Sequence, residues 1–153
     1  MDKFNSLAER FCKIVKNFPD HIAVEDGSTK LTYRALDKLS DQFAHGLGAK
    51  KIEVGAIVGL MLPRSWEQIV AILGIVKAGA VAAPLDRQSP NSRIKEMAED
   101  IGCALILAGD KSTKIGGQRC AVFSSILDAG KKSKFKAHER SKEALSFVFF
   151  TSG

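Results

Sequence analysis

SWEQIVAILGIVKAGAVAAPLD, Ser65 to Asp86, decides the fold. Ser65 and Gln68 have the spacing of a capping box, in which a hydroxyl accepts from an amide three residues on and the glutamine side chain reaches back. Ile69, Ile72, Leu73 and Val76 then recur at helical spacing, so the helix starts at the serine and buries that face. Val70, Ala71 and Ile75 widen the stripe, which predicts a core helix packed on more than one side. Gly79 stands where a helix C-terminus needs positive φ. Ala80 to Leu85 reads as a short buried strand, and Pro84, with no N–H for a neighbouring strand, belongs at an edge or at the strand's end. An apolar strand, AIVGLML (Ala56 to Leu62), precedes the helix. Strand, helix and strand in that order form a βαβ unit.

Upstream, Phe4, Leu7, Ala8, Phe11, Val15 and Phe18 lay an apolar stripe along a helix that Pro19 ends. HIAVED (His21 to Asp26) alternates and meets Asp26-Gly27, a turn signal, after which LTY (Leu31 to Tyr33) returns as a strand. Thr32 is placed to cap a helix carrying Leu36, Leu39, Phe43, Ala44 and Leu47, with Gly48 as its stop. Downstream, Ser89 before Pro90 reads as a cap with proline at the first helical position. Ile94, Met97, Ala98 and Ile101 supply that helix's buried face, and Gly102 ends it. CALILA (Cys103 to Ala108) is continuously apolar, as a parallel strand covered on both faces must be. Gly109 to Gly117 is a loop, CAVF (Cys120 to Phe123) a weak strand, and SSILDAG a single helical turn. ALSFVFF (Ala144 to Phe150) is the strongest strand signal in the chain. The expected fold class is α/β: a largely parallel sheet flanked by helices, with strands near Ala56 to Leu62, Ala80 to Leu85, Cys103 to Ala108 and Phe147 to Phe150.

A chain of 153 residues, 45% hydrophobic and 26% charged, builds one core. No run approaches the roughly 18 apolar residues of a membrane span, and the N-terminus lacks a signal peptide's apolar centre, so a cytoplasmic protein is expected. Cys12, Cys103 and Cys120 form no CxxC pair and read as buried thiols in a reducing compartment; His21 and His45 have no ligand partners at metal-like spacing. The net charge of +6 is one segment's property, since residues 111–142 carry nine basic side chains against Asp128 and Glu139. Within this basic, loop-rich stretch KKSKFKAHERSK (Lys131 to Lys142) has a single aromatic and no periodic apolar face, too little for specific nucleic-acid recognition, and reads as a solvated linker between two strands.

LGIVKAGAVAAPLD resembles the second conserved motif of nonribosomal peptide synthetase adenylation domains, within the acyl and aminoacyl adenylate-forming, AMP-binding enzymes. PDHIAVEDGSTKLTYRALDKLS is similar to the approach to, and body of, that family's first motif, with its core at Leu31 to Leu36. SFVFFTSG resembles the start of the third, where a strand runs into a hydroxyl- and glycine-rich phosphate loop. The resemblance covers Phe4 to Gly153. It implies an enzyme that uses ATP and Mg²⁺ to activate an amino or similar acid as its acyl adenylate, then loads the acyl group onto the phosphopantetheine thiol of a carrier domain.

By that resemblance Thr151, Ser152 and Gly153 are the nucleotide-binding residues, at the mouth of the phosphate site, and no catalytic or metal-binding residue maps onto the chain. Lys77 and Asp86 match motif positions but read as structural: a lysine favoured by the helix dipole and an aspartate closing a turn. Arg87 stands where the family usually has proline. The rest of the phosphate loop, the acid pocket and the C-terminal domain with its catalytic lysine are not among these residues. The chain is therefore expected to be part of an AMP-binding domain over residues 1–153, inactive and without bound cofactor on its own. Its expected partner is the remainder of that domain, with self-association through the phenylalanine-rich strand in its absence. The alternative is a non-catalytic structural or interaction module derived from such a domain.

Overall fold

The computed structural model describes residues 6–132; Phe4, the basic stretch beyond Lys132, the strand expected at Ala144 to Phe150 and the three residues after it lie outside the described residues. Five helices and six strands run in the order α1 (Leu7–Asn17), β1 (Ile22–Asp26), β2 (Thr29–Thr32), α2 (Tyr33–Ala49), β3 (Ile57–Met61), α3 (Trp66–Lys77), β4 (Val81–Pro84), α4 (Asn91–Asp100), β5 (Cys103–Ala108), β6 (Cys120–Val122) and α5 (Phe123–Lys131). The main sheet is parallel throughout, in the order β4-β3-β5-β6, and β1 with β2 forms a separate antiparallel hairpin. Pro84 ends β4, the edge strand, where its missing N–H is harmless.

Alternation along the strands sends side chains to two layers. Val58, Leu60, Leu105 and Leu107 face a large cluster built from α1, α2, α3 and α5, whereas Met61 and Ile106 face a smaller one holding Ile94, Met97 and Ala98 of α4. The sheet is therefore wound on both faces, with α3 carrying the chain from β3 to β4 on one side and α4 carrying it from β4 to β5 on the other. β3 is buried from Val58 to Met61 and β5 from Leu105 to Ala108, with Ala104 exposed at the start of β5.

The helix over Trp66–Lys77 forms as its pattern demands, but its buried face is rotated from the one its spacing suggests. Val70, Ala71, Ile75 and Val76 are fully inaccessible, while Ile69 is 38% exposed and Ile72 half-buried. Gly74 is the cause: a Cβ there would run into the ring of Phe43, so α2 settles against the glycine side of α3. Only half of the capping box forms, because Ser65 Oγ accepts from Gln68 N but Gln68 Nε2 donates to the Leu62 carbonyl. A second cap comes from far along the chain, where Asp26 Oδ2 in the hairpin accepts from Trp66 N at 3.0 Å. The complete reciprocal box is instead on α1, between Ser6 and Glu9.

Other boundaries move for similar local reasons. Gly48 does not stop α2, which runs to Ala49, and Lys51 takes the left-handed conformation at φ 61°. Tyr33 opens that helix rather than ending a strand, with Thr32 Oγ1 accepting from Ala35 N as expected. Ser89 does not cap α4, since its hydroxyl donates to Asp86 Oδ2, and Pro90 occupies the cap position with no side-chain bond. On α1, Phe11 is buried, but Phe18 is 49% exposed and stacks on His21.

The single turn expected near Ser124 is a nine-residue helix, α5. Its length is supported by Phe123, which stacks on Phe43 and meets Trp66 edge-on, and by direct backbone contact with α2. Gly46 lies against the Ile126 carbonyl and Gly130 against the Gln42 carbonyl, while Gln42 Nε2 donates to Leu127 O. A Cβ at either glycine would sit well inside contact distance of main-chain atoms that cannot move aside. Gly130→Ala should therefore destabilise the chain by at least about 1–3 kcal/mol, the usual cost of overpacking a close-packed interior. Gly102→Ala, which meets no neighbour but must keep φ at 65°, should cost about 1–2 kcal/mol of backbone strain. Urea unfolding followed by circular dichroism ranks the two, and a Gly130→Ala protein as stable as wild type would overturn the backbone contact.

Candidate functional site

In a sheet wound on both faces, ligands collect where connections leave neighbouring strands toward opposite sides, beyond the strands' carboxyl ends. Here that position lies between β3 and β5. A crevice of about 500 Å³ opens there, lined by Met61 at the end of β3, Arg87 after β4, Asn91 at the start of α4, and Gly109, Asp110 and Lys114 after β5. Two turns fix its walls. Asp86 accepts from Gln88 N at 2.9 Å and from Ser89 Oγ at 3.1 Å, as its turn-closing role requires, and holds the segment that carries Arg87. Asp110 accepts from the amides of Ser112 and Thr113 and from the Ser112 hydroxyl, and these bonds hold its carboxyl below the usual carboxylate range. Ile115, fully buried against the α4 layer, anchors the loop, and Asn91 Nδ2 reaches the Lys114 carbonyl across the crevice at 3.5 Å.

A second concavity, of about 320 Å³, follows β6, with Leu105, Ala121 and Ile126 inside and Lys50, Lys111 and Arg119 at its rim. Among the described residues no three His, Cys, Asp or Glu side chains come together in a way that could hold a metal. No helix among them is long and apolar enough to cross a membrane.

Lys77 proves structural in a way its spacing does not reveal. Its ammonium is buried, 8% exposed, at 2.7 Å from both Asp37 Oδ1 and Asp41 Oδ1, 3.1 Å from the Asp37 carbonyl and 5.2 Å from the ring centre of Phe11. It thus ties α3 to α2 and α1. The only sequence signal was Asp37 and Asp41 one helical turn apart, a pairing that on most helices faces water. Thr151, Ser152 and Gly153 lie outside the described residues.

The chain matches the family model of the AMP-binding enzymes over residues 11–153. It is 34% identical over 151 residues to surfactin synthase subunit 2 of Bacillus subtilis, covering 97% of this chain and 4% of that subunit. With bacitracin synthase 3 of Bacillus licheniformis it shares 46% identity over 93 residues, covering 61% of this chain and 2% of the synthase. Among solved structures, an artificially fused adenylation–PCP di-domain from Klebsiella oxytoca superimposes with a TM-score of 0.87 at 22% identity, over 99% of this chain and 29% of that one. Klebsiella oxytoca NpsA in complex with 3-hydroxyanthranilyl-AMSN gives 0.88 at 24%, over 98% of this chain and 31% of that one. At such identities the structural likeness is one of fold. The chain belongs to the AMP-binding enzyme family. Within it, its relatives are the adenylation domains of nonribosomal peptide synthetases, and it spans only a small part of their length.

The Lys77 cluster is asymmetric, because Asp37 and Asp41 are 32% and 51% exposed and can turn to water whereas the ammonium cannot. Replacing both aspartates by asparagine should cost about 3–5 kcal/mol, the penalty for stranding a buried charge. Lys77→Met, which keeps the apolar stem, should cost less. Urea midpoints decide, and a more damaging Lys77→Met would show that the carboxylates, not the ammonium, need the pairing.

The cysteines differ too. Against the expectation of buried thiols, Cys12 is exposed and Cys103 and Cys120 are only half-buried; partial burial still pushes the Cys103 thiol up, partly offset by backbone hydrogen bonds at Gly59 and Leu105. The fold thus favours neutral Cys103, and the associated stability is fully present below the ordinary thiol range and lost as pH rises from there through the raised folded value. Since the thiolate is the nucleophile, iodoacetamide should label Cys12 first and Cys103 only at distinctly higher pH. Peptide mapping by mass spectrometry reads the order, and equal rates at neutral pH would contradict it.

Proposed function

We propose that the protein carrying this segment activates an amino or similar carboxylic acid with ATP and transfers the acyl group to the phosphopantetheine thiol of a carrier domain. The family match over residues 11–153, on a parallel sheet open at its strands' carboxyl ends, carries the reading. The fused adenylation–PCP di-domain that superimposes on the chain supports a carrier as partner, and the NpsA complex supports an adenylate-shaped site in the complete domain.

In the first step a carboxylate oxygen attacks the α-phosphorus, an O–P bond forms, the bond to the β-phosphate breaks, and pyrophosphate leaves. In the second the carrier thiol loses its proton, its sulfur attacks the acyl carbon, and AMP departs with the C–O bonding pair. Thr151 and Ser152 would donate hydroxyl hydrogen bonds to phosphate oxygens, with Gly153 letting the backbone turn its N–H groups toward the same charge. On this reading the described residues would serve as the rigid sheet supporting such a loop, since positioning is the protein's main contribution to such a step. Among them no three His, Cys, Asp or Glu side chains come together to hold a metal, and Mg²⁺ in the complete protein would neutralise charge on the phosphates.

On this reading residues 1–153 are part of an adenylation domain and lack activity alone. Acid-dependent exchange of labelled pyrophosphate into ATP should stay at the no-enzyme level for the 153-residue chain and rise above it for the complete protein. Exchange by the short chain would overturn its inactivity. No exchange by the complete protein with any amino or aryl acid would overturn the activation reading and leave a structural or interaction module.

A further inference from the structure

The two edges of the main sheet differ. At one, β4 buries Val81, Ala82 and Ala83 and ends in Pro84, which has no N–H to offer. At the other, β6 pairs with β5 alone among the described strands, and its three residues are only half-buried. Ile106 N donates to the Arg119 carbonyl at 2.8 Å, in a register that sets Ile106 against Cys120. Successive residues of a parallel strand turn their main-chain groups to opposite sides, so Ala121 faces β5 while Cys120 and Val122 turn their N–H groups outward. Among the described residues nothing accepts from either N–H. A concavity of about 320 Å³ follows this edge and is lined by all of β6, with Leu105 and Ile126 as its apolar floor. It extends from Lys50 and Arg119, before β6, to Lys111, after β5. No carboxylate among the described residues pairs with any of these three cations, and the one acid in the wall, Asp110, is committed to Ser112 and Thr113. Arg119 also donates to the Lys50 carbonyl at 2.8 Å, which holds its guanidinium at the rim.

We infer that the outer edge of β6 docks an extended, acidic segment of another protein, which joins the sheet as a further strand. Main-chain bonds to Cys120 and Val122 hold the segment, and every second side chain enters the apolar floor. Carboxylates near its ends meet Arg119 and Lys50 on one side and Lys111 on the other, which fixes where it lies along the groove. Charge selects this occupant. A second copy of the chain would bring the same three cations to the same edge, on a molecule of net charge +6. Residues 132–142 carry five basic side chains against Glu139, and residues 144–150 contain no carboxylate at all. The groove lies along a strand edge and its role is independent of acid activation.

Backbone N–H spectra of the full 153-residue chain, titrated with a capped pentapeptide of sequence Glu-Val-Thr-Val-Glu, test the inference. Saturable shifts are expected at the amides of Cys120 and Val122, and they should be absent when lysines replace the two glutamates of the peptide. Methylating the peptide's alternate backbone nitrogens, one set at a time, should abolish binding for one set only, because a strand offers one row of N–H groups to its neighbour. Lys111→Gln, at an exposed position, should weaken binding by about threefold, the worth of an exposed ion pair. Cys120→Pro removes an outward N–H without touching the bonds to β5 and should weaken it by about tenfold. If that variant does not fold, the methylated peptides make the same test. Unsaturated shifts, equal shifts with the lysine peptide, or affinity indifferent to methylation would overturn the proposal. So would a failure to bind at all, whether the groove stays vacant or residues 144–150 already fill it.

Discussion

Three helices meet on one ammonium group. Charge withdrawn from water is costly unless it is paired and its hydrogen-bonding capacity filled. Lys77 meets both conditions through two carboxylates, a main-chain carbonyl and an aromatic face. Because Asp37 and Asp41 are one turn apart, only one rotation of α2 presents both oxygens, and only one height of α2 beside α3 brings them to the end of that helix. The ion pair thereby selects the register at which Phe43 enters the space left by Gly74, and from there the stacking of Phe43, Phe123 and Trp66 follows. Hydrophobic burial supplies most of the energy; the ammonium supplies the geometry.

The same arrangement explains why the two layers have different purposes. The α1, α2, α3 and α5 layer is thick, aromatic and closely fitted. The α4 layer is thinner, and its loops end in turns closed by their own aspartates, Asp86 and Asp110. The carboxylates set the shape of these turns, and buried Ile115 ties the second of them to the core.

Periodicity and turn residues made the βαβ unit, the burial of β5 from Leu105 onward, the positive φ of Gly79 and the helix stop at Gly102 legible in the sequence. What escaped was decided by partners distant along the chain. Ile69 has the spacing of a core residue, but which side of an almost wholly apolar helix faces inward depends on where Phe43 arrives. Gln68 has the spacing of a capping box, yet the Leu62 carbonyl competes for its amide. Lys77 resembles any lysine in a last turn until α2 is placed beside it. Of the candidate site, the turn at Asp86 was legible, whereas the placing of Arg87 and Lys114 along one crevice depends on β5 lying next to β3 rather than next to β4.

The contact of α2 with α5 has a mechanical side. Where helices touch through glycine and main-chain carbonyls there is no side chain to change rotamer and absorb displacement, and a hydrogen bond from Gln42 pins the contact along its length. The two helices behave as one stiff strut, backed by the sheet. Tension applied at Lys131, where α5 ends, is passed to α2 and on to the Lys77 cluster without a compliant joint between them, so the segment would resist pulling as a block rather than yield helix by helix.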